Sequence, residues 1–277
     1  MSKYSTILYA LDEKNPAICR ITMNRPEKRN AINQKMATEL IDAFRKVRGL
    51  TDVSVVVFGG AGDQAFCTGG DLDIFSSWTF LSAMDWLAHD GLDLQRAITG
   101  CDKVVIAKID GYCLAGGLEL ALCCDLLYAN ESAMLGITEI NMGALPGWGG
   151  TARIVRSLPI FKAREIIYSG RKDYTAREME DMGLLTRVFA DDEFDEKFEA
   201  VVANIGSKRP LAIRMGKEVM AKSEECGSIE TAIALERNAI QWMMNAPEIR
   251  AVMENMQNPK DFTKRQKKKN LESDIKK

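Results

Sequence analysis

The chain has 277 residues, 46% apolar and 27% charged, with 37 Lys and Arg against 39 Asp and Glu and a formal net charge of −2. These proportions exclude a disordered or collagen-like chain, and the balanced charge offers no global basic field to nucleic acid or an acidic membrane. No run approaches the roughly 18–20 apolar residues of a membrane span, and MSKYSTILYALDEK lacks the basic start and apolar core of a secretion signal, so a cytoplasmic protein without a membrane partner is expected.

In chain order, AICRITM (17–23) and VSVVVFGG (53–60) read as strands around KMATELIDAFRKVRG, whose apolar residues recur at helical spacing. VSVVVF and KVVIAKI (103–109) are apolar on both faces, as strands covered on both sides are, and they alternate with helical segments. An α/β fold with a buried, largely parallel sheet follows. Glycine pairs at Gly59-Gly60, Gly69-Gly70, Gly116-Gly117 and Gly149-Gly150 mark the expected functional turns. From about residue 190 no strand-like run appears, and three helix-period segments are separated by Pro210 and Gly227. The predicted division is a core over 1–195 carrying the site and a helical oligomerisation region over 196–277 with a basic tail. Trp242, Met243 and Met244 exceed what a three-helix layer can bury, which predicts self-association. Residues 264–277 hold seven basic and two acidic side chains, read as a solvated terminus in preference to a nucleic-acid contact.

The residue inventory narrows the chemistry. Seven scattered cysteines, an odd number with Cys123 and Cys124 adjacent, read as reduced thiols. His89 is the one histidine, so Ser-His-Asp and Cys-His systems and histidine-rich zinc sites fall away, and no metal is expected. Its polar neighbours in WLAHDGLD make His89 a solvated helix residue. Cys67 and Cys113, with no histidine partner, read as small packing residues. Carboxylates and backbone dipoles remain. In GYCLAGGLELALCCDLLYAN (111–130), AGG opens a predicted helix LELALCCD, whose first amides lack intrahelical acceptors and can hold an oxygen gaining negative charge. Gly70 in TGGD offers a second amide, and Glu119, three residues after Gly116, lies on about the same face. Glu139, in ITEIN, is a second acid that folding back can bring alongside.

These segments resemble the crotonase, or enoyl-coenzyme A hydratase/isomerase, superfamily. The resemblance runs from about residue 7 to 265, through ITMNRPEKRNAIN (21–33), AFCTGGDL (65–72), DGYCLAGGLELALCCDL (110–126), ITEINMGALPGWGGTARI and SGRKDYTAREMEDMGLLTRV (169–188). It implies a crotonase-like spiral of repeated ββα units, a C-terminal helical trimerisation region, and a homotrimer or homohexamer. It also implies that the amides of Gly70 and Gly116 hold the thioester oxygen, with Glu119 as base and Glu139 as acid. The loop from Asn24 to Ala31, with Lys28, Arg29 and Ala31, and the turn Thr68, Gly69, Asp71 and Leu72 match the segments that grip coenzyme A. Phe262 and Lys264 match a stretch that often touches it. Coenzyme A is then part of the acyl-CoA thioester substrate, and no separate cofactor is implied.

Two glutamates favour an enoyl-CoA hydratase over an enoyl-CoA isomerase, which generally relies on one acid. Carnitinyl- or cyclic-acyl-type dehydratases keep both and stay open, as does an RNA-binding homologue using the basic tail. The segment 73–89 is rich in aromatics, with Phe75, Trp78, Phe80 and Trp86, and by resemblance borders the acyl pocket. Core packing explains such residues most simply; a pocket for a short, branched or cyclic acyl group is the sharper reading. Trp148 stands where relatives usually have a small residue, and would shorten the pocket or fill a turn.

Overall fold

Burial of apolar runs and the capping of helix ends account for the elements seen in a computed structural model, which describes residues 4–75 and 79–256. Ile7–Leu11 (β1) and Ile18–Met23 (β2) form an antiparallel pair. Helix α1, Gln34–Arg48, starts where the Asn33 side chain accepts from the Met36 amide at 2.9 Å. It ends in a turn with Arg45, Lys46 and Arg48, which complements the helix dipole. Three turns of a common pattern follow, each giving one strand to each of two sheets before a helical segment. The first is Val55–Gly60 (β3), Ala65–Cys67 (β4), Leu72–Phe75 (α2), Phe80–Asp85 (α3), a π-turn at Trp86–Gly91 and Leu92–Thr99 (α4). The second is Val104–Ile109 (β5), Tyr112–Leu114 (β6) and Gly116–Ala121 (α5). The third is Leu126–Asn130 (β7), Met134–Gly136 (β8), a short 3₁₀ turn Glu139–Met142, Gly150–Ser157 (α6) and Ile160–Ser169 (α7). Tyr174–Thr175 (β9), Ala176–Met182 (α8), Arg187–Phe189 (β10) and Phe194–Gly206 (α9) complete this part, and Pro210–Glu225 (α10), Ile229–Met243 (α11) and Pro247–Met256 (α12) follow.

The larger sheet has the order β1-β2-β3-β5-β7-β10 and the smaller β4-β6-β8-β9. This is the spiral of ββα units that the sequence implies. The sheets are parallel except at their margins, where β1 pairs with β2 and β8 with β9 in antiparallel fashion. Both faces of the larger sheet are covered, as its apolar runs require. Met36, Leu40 and Phe44 of α1 join Ile21, Val56 and Phe58 in the main core. On the other face Phe194, Phe198 and Val202 of α9 close over Ile18, Val55, Val57 and Ile106.

Two predicted boundaries move. Helix α5 stops at Ala121 instead of running through Asp125, because the Asp125 amide donates to the Val105 carbonyl at 2.8 Å while its carboxylate accepts from the Val105 amide at 2.7 Å. These bonds draw the chain back to the sheet. The chain divides into compact units Met1–Arg214 and Met215–Lys277, so the first unit runs past residue 195 and keeps α9. In the second unit, α11 is capped by Ser228 and leaves Ile229, Ile233, Ile240 and Trp242 exposed. Among the described residues no helix is long and apolar enough to cross a membrane.

Candidate active site

The smaller sheet places the candidate residues. Strands β4, β6 and β8 are parallel neighbours, so their C-terminal ends emerge on one edge, the place where parallel sheets present their loops to ligands. From β4 the chain passes into Thr68, Gly69 and Gly70; from β6 into Ala115 and Gly116; from β8 into Ile137, Thr138 and Glu139.

The two predicted amides lie on adjoining segments. Gly69 has φ 96°, and a Cβ there would stand 3.0 Å from the Gly116 nitrogen, so only glycine suits this turn. The Ile32 amide donates to the Gly69 carbonyl at 2.8 Å, and the Asp71 amide donates to the Ile32 carbonyl at 2.9 Å. Because backbone groups alternate along an extended segment, the Gly70 N–H is turned to the side away from Ile32. Gly116 is the first residue of α5, where an N–H has no acceptor in its own helix. Ala115, just before it, holds φ 50° and ψ −129°, a strained conformation for a residue with a Cβ. Its amide donates to the Gly136 carbonyl of β8 at 2.8 Å and its carbonyl accepts from the Glu119 amide at 3.1 Å, which fixes the turn between β6 and α5. A Cβ on Gly117 would overlap the carbonyl oxygen of Cys67, so α5 and β4 meet as closely as backbone allows.

Glu119 is 2% exposed. Its Oε1 accepts from the amides of Trp148 at 2.8 Å and Gly150 at 2.7 Å, which anchors the carboxylate from the loop that opens α6. Burial pushes its pKa up to about 7; the Gly150 amide opposes the rise, Glu139 adds to it, and the Trp148 amide and the Arg153 cation oppose it. Glu139 sits on the 3₁₀ turn after β8, and burial raises its pKa as well. Its Oε2 is buried with no hydrogen bond. The two acids expected from separate motifs are therefore within electrostatic reach of each other. Sequence reading missed the anchor itself, since a backbone amide has no side-chain signature. It also missed Arg153 on α6, whose guanidinium donates to Gln95 Oε1 at 3.3 Å.

Beside this centre, the loop 24–31 is tied to the glycine turn. Arg25 pairs with Asp71 at 2.7 Å and donates to the Ala31 carbonyl at 2.6 Å. Burial pushes the Asp71 carboxyl up, but Arg25 and neighbouring donors hold it below its ordinary value. Lys28 pairs with Asp73 at 3.0 Å, the Arg29 guanidinium lies 6.0 Å from the Tyr112 ring centroid, and Thr68 Oγ1 donates to the Arg29 carbonyl at 3.4 Å. Leu72 is exposed. A small cavity lined by Pro26, Arg29, Gly62 and Gln64 opens beside Arg29. Lys28, Arg29, Ala31, Thr68, Gly69, Gly70 and Asp71 thus converge, while Trp78, Phe262, Lys264 and the basic tail 264–277 lie outside the described residues.

Among the aromatic candidates, Trp86 and Trp148 are buried against each other with ring centroids 5.2 Å apart, whereas Phe80 is exposed. His89 is exposed, 3.9 Å from Asp85. Cys67 and Cys113 are fully buried, and burial pushes the Cys67 thiol up to about 12, which suits packing and not nucleophilic attack.

Comparison with known proteins gives a consistent result. The family model described as enoyl-CoA hydratase/isomerase matches residues 13–269. YngF of Bacillus subtilis (strain 168), whose name carries enoyl-CoA hydratase/isomerase, is 35% identical over 231 residues, 82% of this chain and 86% of that protein. The Mycobacterium leprae (strain TN) protein echA8, named for enoyl-CoA hydratase, is 35% identical over 223 residues, 80% of this chain and 84% of its own. Among solved structures, an enoyl-CoA hydratase from Bacillus anthracis superposes with a TM-score of 0.86 at 28% identity, covering 92% of this chain and 97% of that one.

Proposed function

The chain belongs to the enoyl-CoA hydratase/isomerase family, and from that premise we propose that it is an enoyl-CoA hydratase, adding water reversibly across the 2,3 double bond of a 2-enoyl-CoA thioester. The observation that carries this reading is the pair of carboxyl groups, Glu119 buried and anchored on two amides and Glu139 half-buried within electrostatic reach of it, on segments that adjoin the Gly70 and Gly116 amides.

Attack of water at Cβ drives charge onto the thioester oxygen. The Gly70 and Gly116 amides receive that charge, and loss of one such donor typically costs about 2.7–4 kcal/mol. Glu119, with one oxygen fixed by Trp148 and Gly150, offers the other to orient and deprotonate the water; Glu139, whose pKa burial raises, delivers the proton to Cα. General acid or base steps of this kind each contribute roughly 10²–10⁴ in rate. The two groups titrate as a coupled pair, so the acid and base roles belong to the pair as much as to either residue. Arg153 favours the ionised form of Glu119. An isomerase moves one proton between two carbons and has no use for a second buried acid, which favours hydration.

The cations of Lys28 and Arg29, with the backbone around Ala31 and Thr68 to Leu72, take the coenzyme A portion in this reading. No resident cofactor is required, since coenzyme A arrives with the substrate. The exposed Ile229, Ile233, Ile240 and Trp242 support assembly as a homotrimer or homohexamer through the helical region.

The test follows the near-ultraviolet absorbance of crotonyl-CoA with the purified protein. Loss of the conjugated-thioester band, reduced at least 10²-fold in both Glu119→Gln and Glu139→Gln, is the expected result. A wild-type protein that leaves crotonyl, branched and cyclic enoyl thioesters unchanged would overturn it.

A further inference from the structure

The hydration chemistry uses the backbone of Trp148 and leaves its indole unassigned. Because the Trp148 amide is bound to Glu119, the ring is held at a fixed place relative to the proposed base. That ring is 3% exposed. Its Cε3 and Cζ3 lie 3.4 and 3.6 Å from where a Cβ of Gly116 would stand, so one edge rests on the residue whose amide holds the thioester oxygen. The other edge, with Nε1, occupies the space that a Cβ of Gly91 would take at the end of the π-turn. Trp86, 5% exposed, covers the ring at 5.2 Å with an interplanar angle of 43°. The indole therefore spans the gap between the first turn of α5 and the Trp86–Gly91 segment, and Trp86 backs it.

A bound thioester would place its oxygen at Gly70 and Gly116 and its reacting carbons beside Glu119 and Glu139. In this reading the carbons beyond Cβ head toward the Trp148 ring, whose edge rests against Gly116. The two tryptophans are packed on each other, so no ligand-sized space separates them. We propose that Trp148, seated by Gly91 and Gly116 and backed by Trp86, is a specificity-determining residue that closes the acyl pocket shortly beyond the reacting double bond, so that the chain selects short 2-enoyl thioesters over long unbranched ones. This rests on the hydratase reading. Each methylene in an apolar pocket is worth about 10–200-fold in discrimination, and an indole in the path of several places a steep fall in kcat/KM between four and eight acyl carbons.

The experiment has a turnover arm and a binding arm. Turnover of crotonyl-, 2-octenoyl- and 2-dodecenoyl-CoA is measured for the wild type, Trp148→Ala, Trp148→Phe and Gly91→Ala. Equilibrium affinity is measured for butyryl-CoA and octanoyl-CoA, which need no chemistry. The wild type is expected to favour crotonyl over 2-octenoyl by tenfold or more, and Trp148→Ala to shift that ratio towards the longer chain by at least tenfold. Trp148→Phe should fall between, and Gly91→Ala should disturb the ratio by displacing the ring. Wild-type turnover equal on all three chains would overturn the proposal while leaving the hydratase reading intact, and this outcome does not depend on any variant folding. If no thioester is hydrated, the hydratase reading fails. The binding arm then decides the pocket: a preference for butyryl-CoA that Trp148→Ala removes supports closure, and equal affinities overturn it.

Discussion

The two sheets of the first unit use similar strand connections for different ends. The larger sheet has strands of five or six residues at β1, β2, β3, β5 and β7, filled from both faces by α1 and α9. In the smaller sheet β4, β6 and β8 have three residues each, and each leads within three residues to Gly70, Gly116 or Glu119's partner Glu139, which are proposed to act on substrate. The comparison teaches that packing volume and positional accuracy are kept apart. The larger sheet carries most of the packed length, while the smaller one, which joins the main core through Phe66, Cys113 and Leu135, sets where two amides and a carboxyl group stand.

The sharpest way to break this division is to move the smaller sheet alone. Gly117→Ala puts a Cβ into the Cys67 carbonyl and must push α5 from β4, displacing the Gly116 amide. A loss of about 10²–10³ in kcat for crotonyl-CoA hydration is expected, with secondary structure retained by circular dichroism. The converse is Ile106→Ala, buried between β5 and α9: urea unfolding should show a loss of about 2–5 kcal/mol, while kcat of the folded fraction stays within about twofold. Equal loss of activity and stability in both variants would show that the sheets are not separable.

Glu119→Gln sharpens the same point from the opposite direction. The carboxyl group has its pKa raised from 4.5 to about 7 in the fold. Below about pH 4.5 both states hold the proton and the burial of this group carries no charge penalty. As pH rises through 7 the unfolded chain has already released its proton, so the folded state loses stability, by on the order of 3 kcal/mol at full ionisation. Glu119→Gln should thus melt higher than the wild type at pH 8 and nearly alongside it at pH 4.5, with activity lost at both. A smaller effect is expected from Arg153→Met: without the cation Glu119 protonates more readily, so the acid limb of the kcat–pH profile moves to higher pH. The smallest concerns the rim, where Lys28→Ala should raise KM for crotonyl-CoA a few-fold, more at low salt, and leave kcat unchanged.

The larger sheet was the more legible of the two in the sequence. KVVIAKI and VSVVVFGG are long enough for two-sided burial to register as unbroken apolar runs, and β5 and β3 lie within them. AFC, YCL and MLG are too short to display any period, so of the smaller sheet only β8 showed, as part of the extended AMLGI. Gly70, Gly116 and Glu119 were nonetheless visible as candidates, because glycine beside an expected helix start and an acid at helical spacing show as residue types, whereas Glu139 was joined to them through the family resemblance. What holds Glu119 was not readable. Its anchors are the backbone amides of Trp148 and Gly150, and position 150 must stay glycine because a Cβ there would stand 2.9 Å from Glu119 Cγ, while Arg153 comes near only after α6 has folded back. The shortening of α5 was equally hidden, since it follows from the pairing of Asp125 with Val105, two residues twenty positions apart in sequence.

Three short strands, each bearing one part of the centre, also set how the protein fails on heating. Local opening draws on the free energy of the segment involved, and β6, with Tyr112 exposed and Leu114 half-buried, can detach at lower cost than the sheet beneath α1 and α9. Loss of any one of β4, β6 or β8 removes an amide or a carboxyl group that the others cannot replace. Thermal inactivation of turnover should therefore begin several degrees below the midpoint of global melting, and it should reverse on cooling as long as the larger sheet has stayed intact.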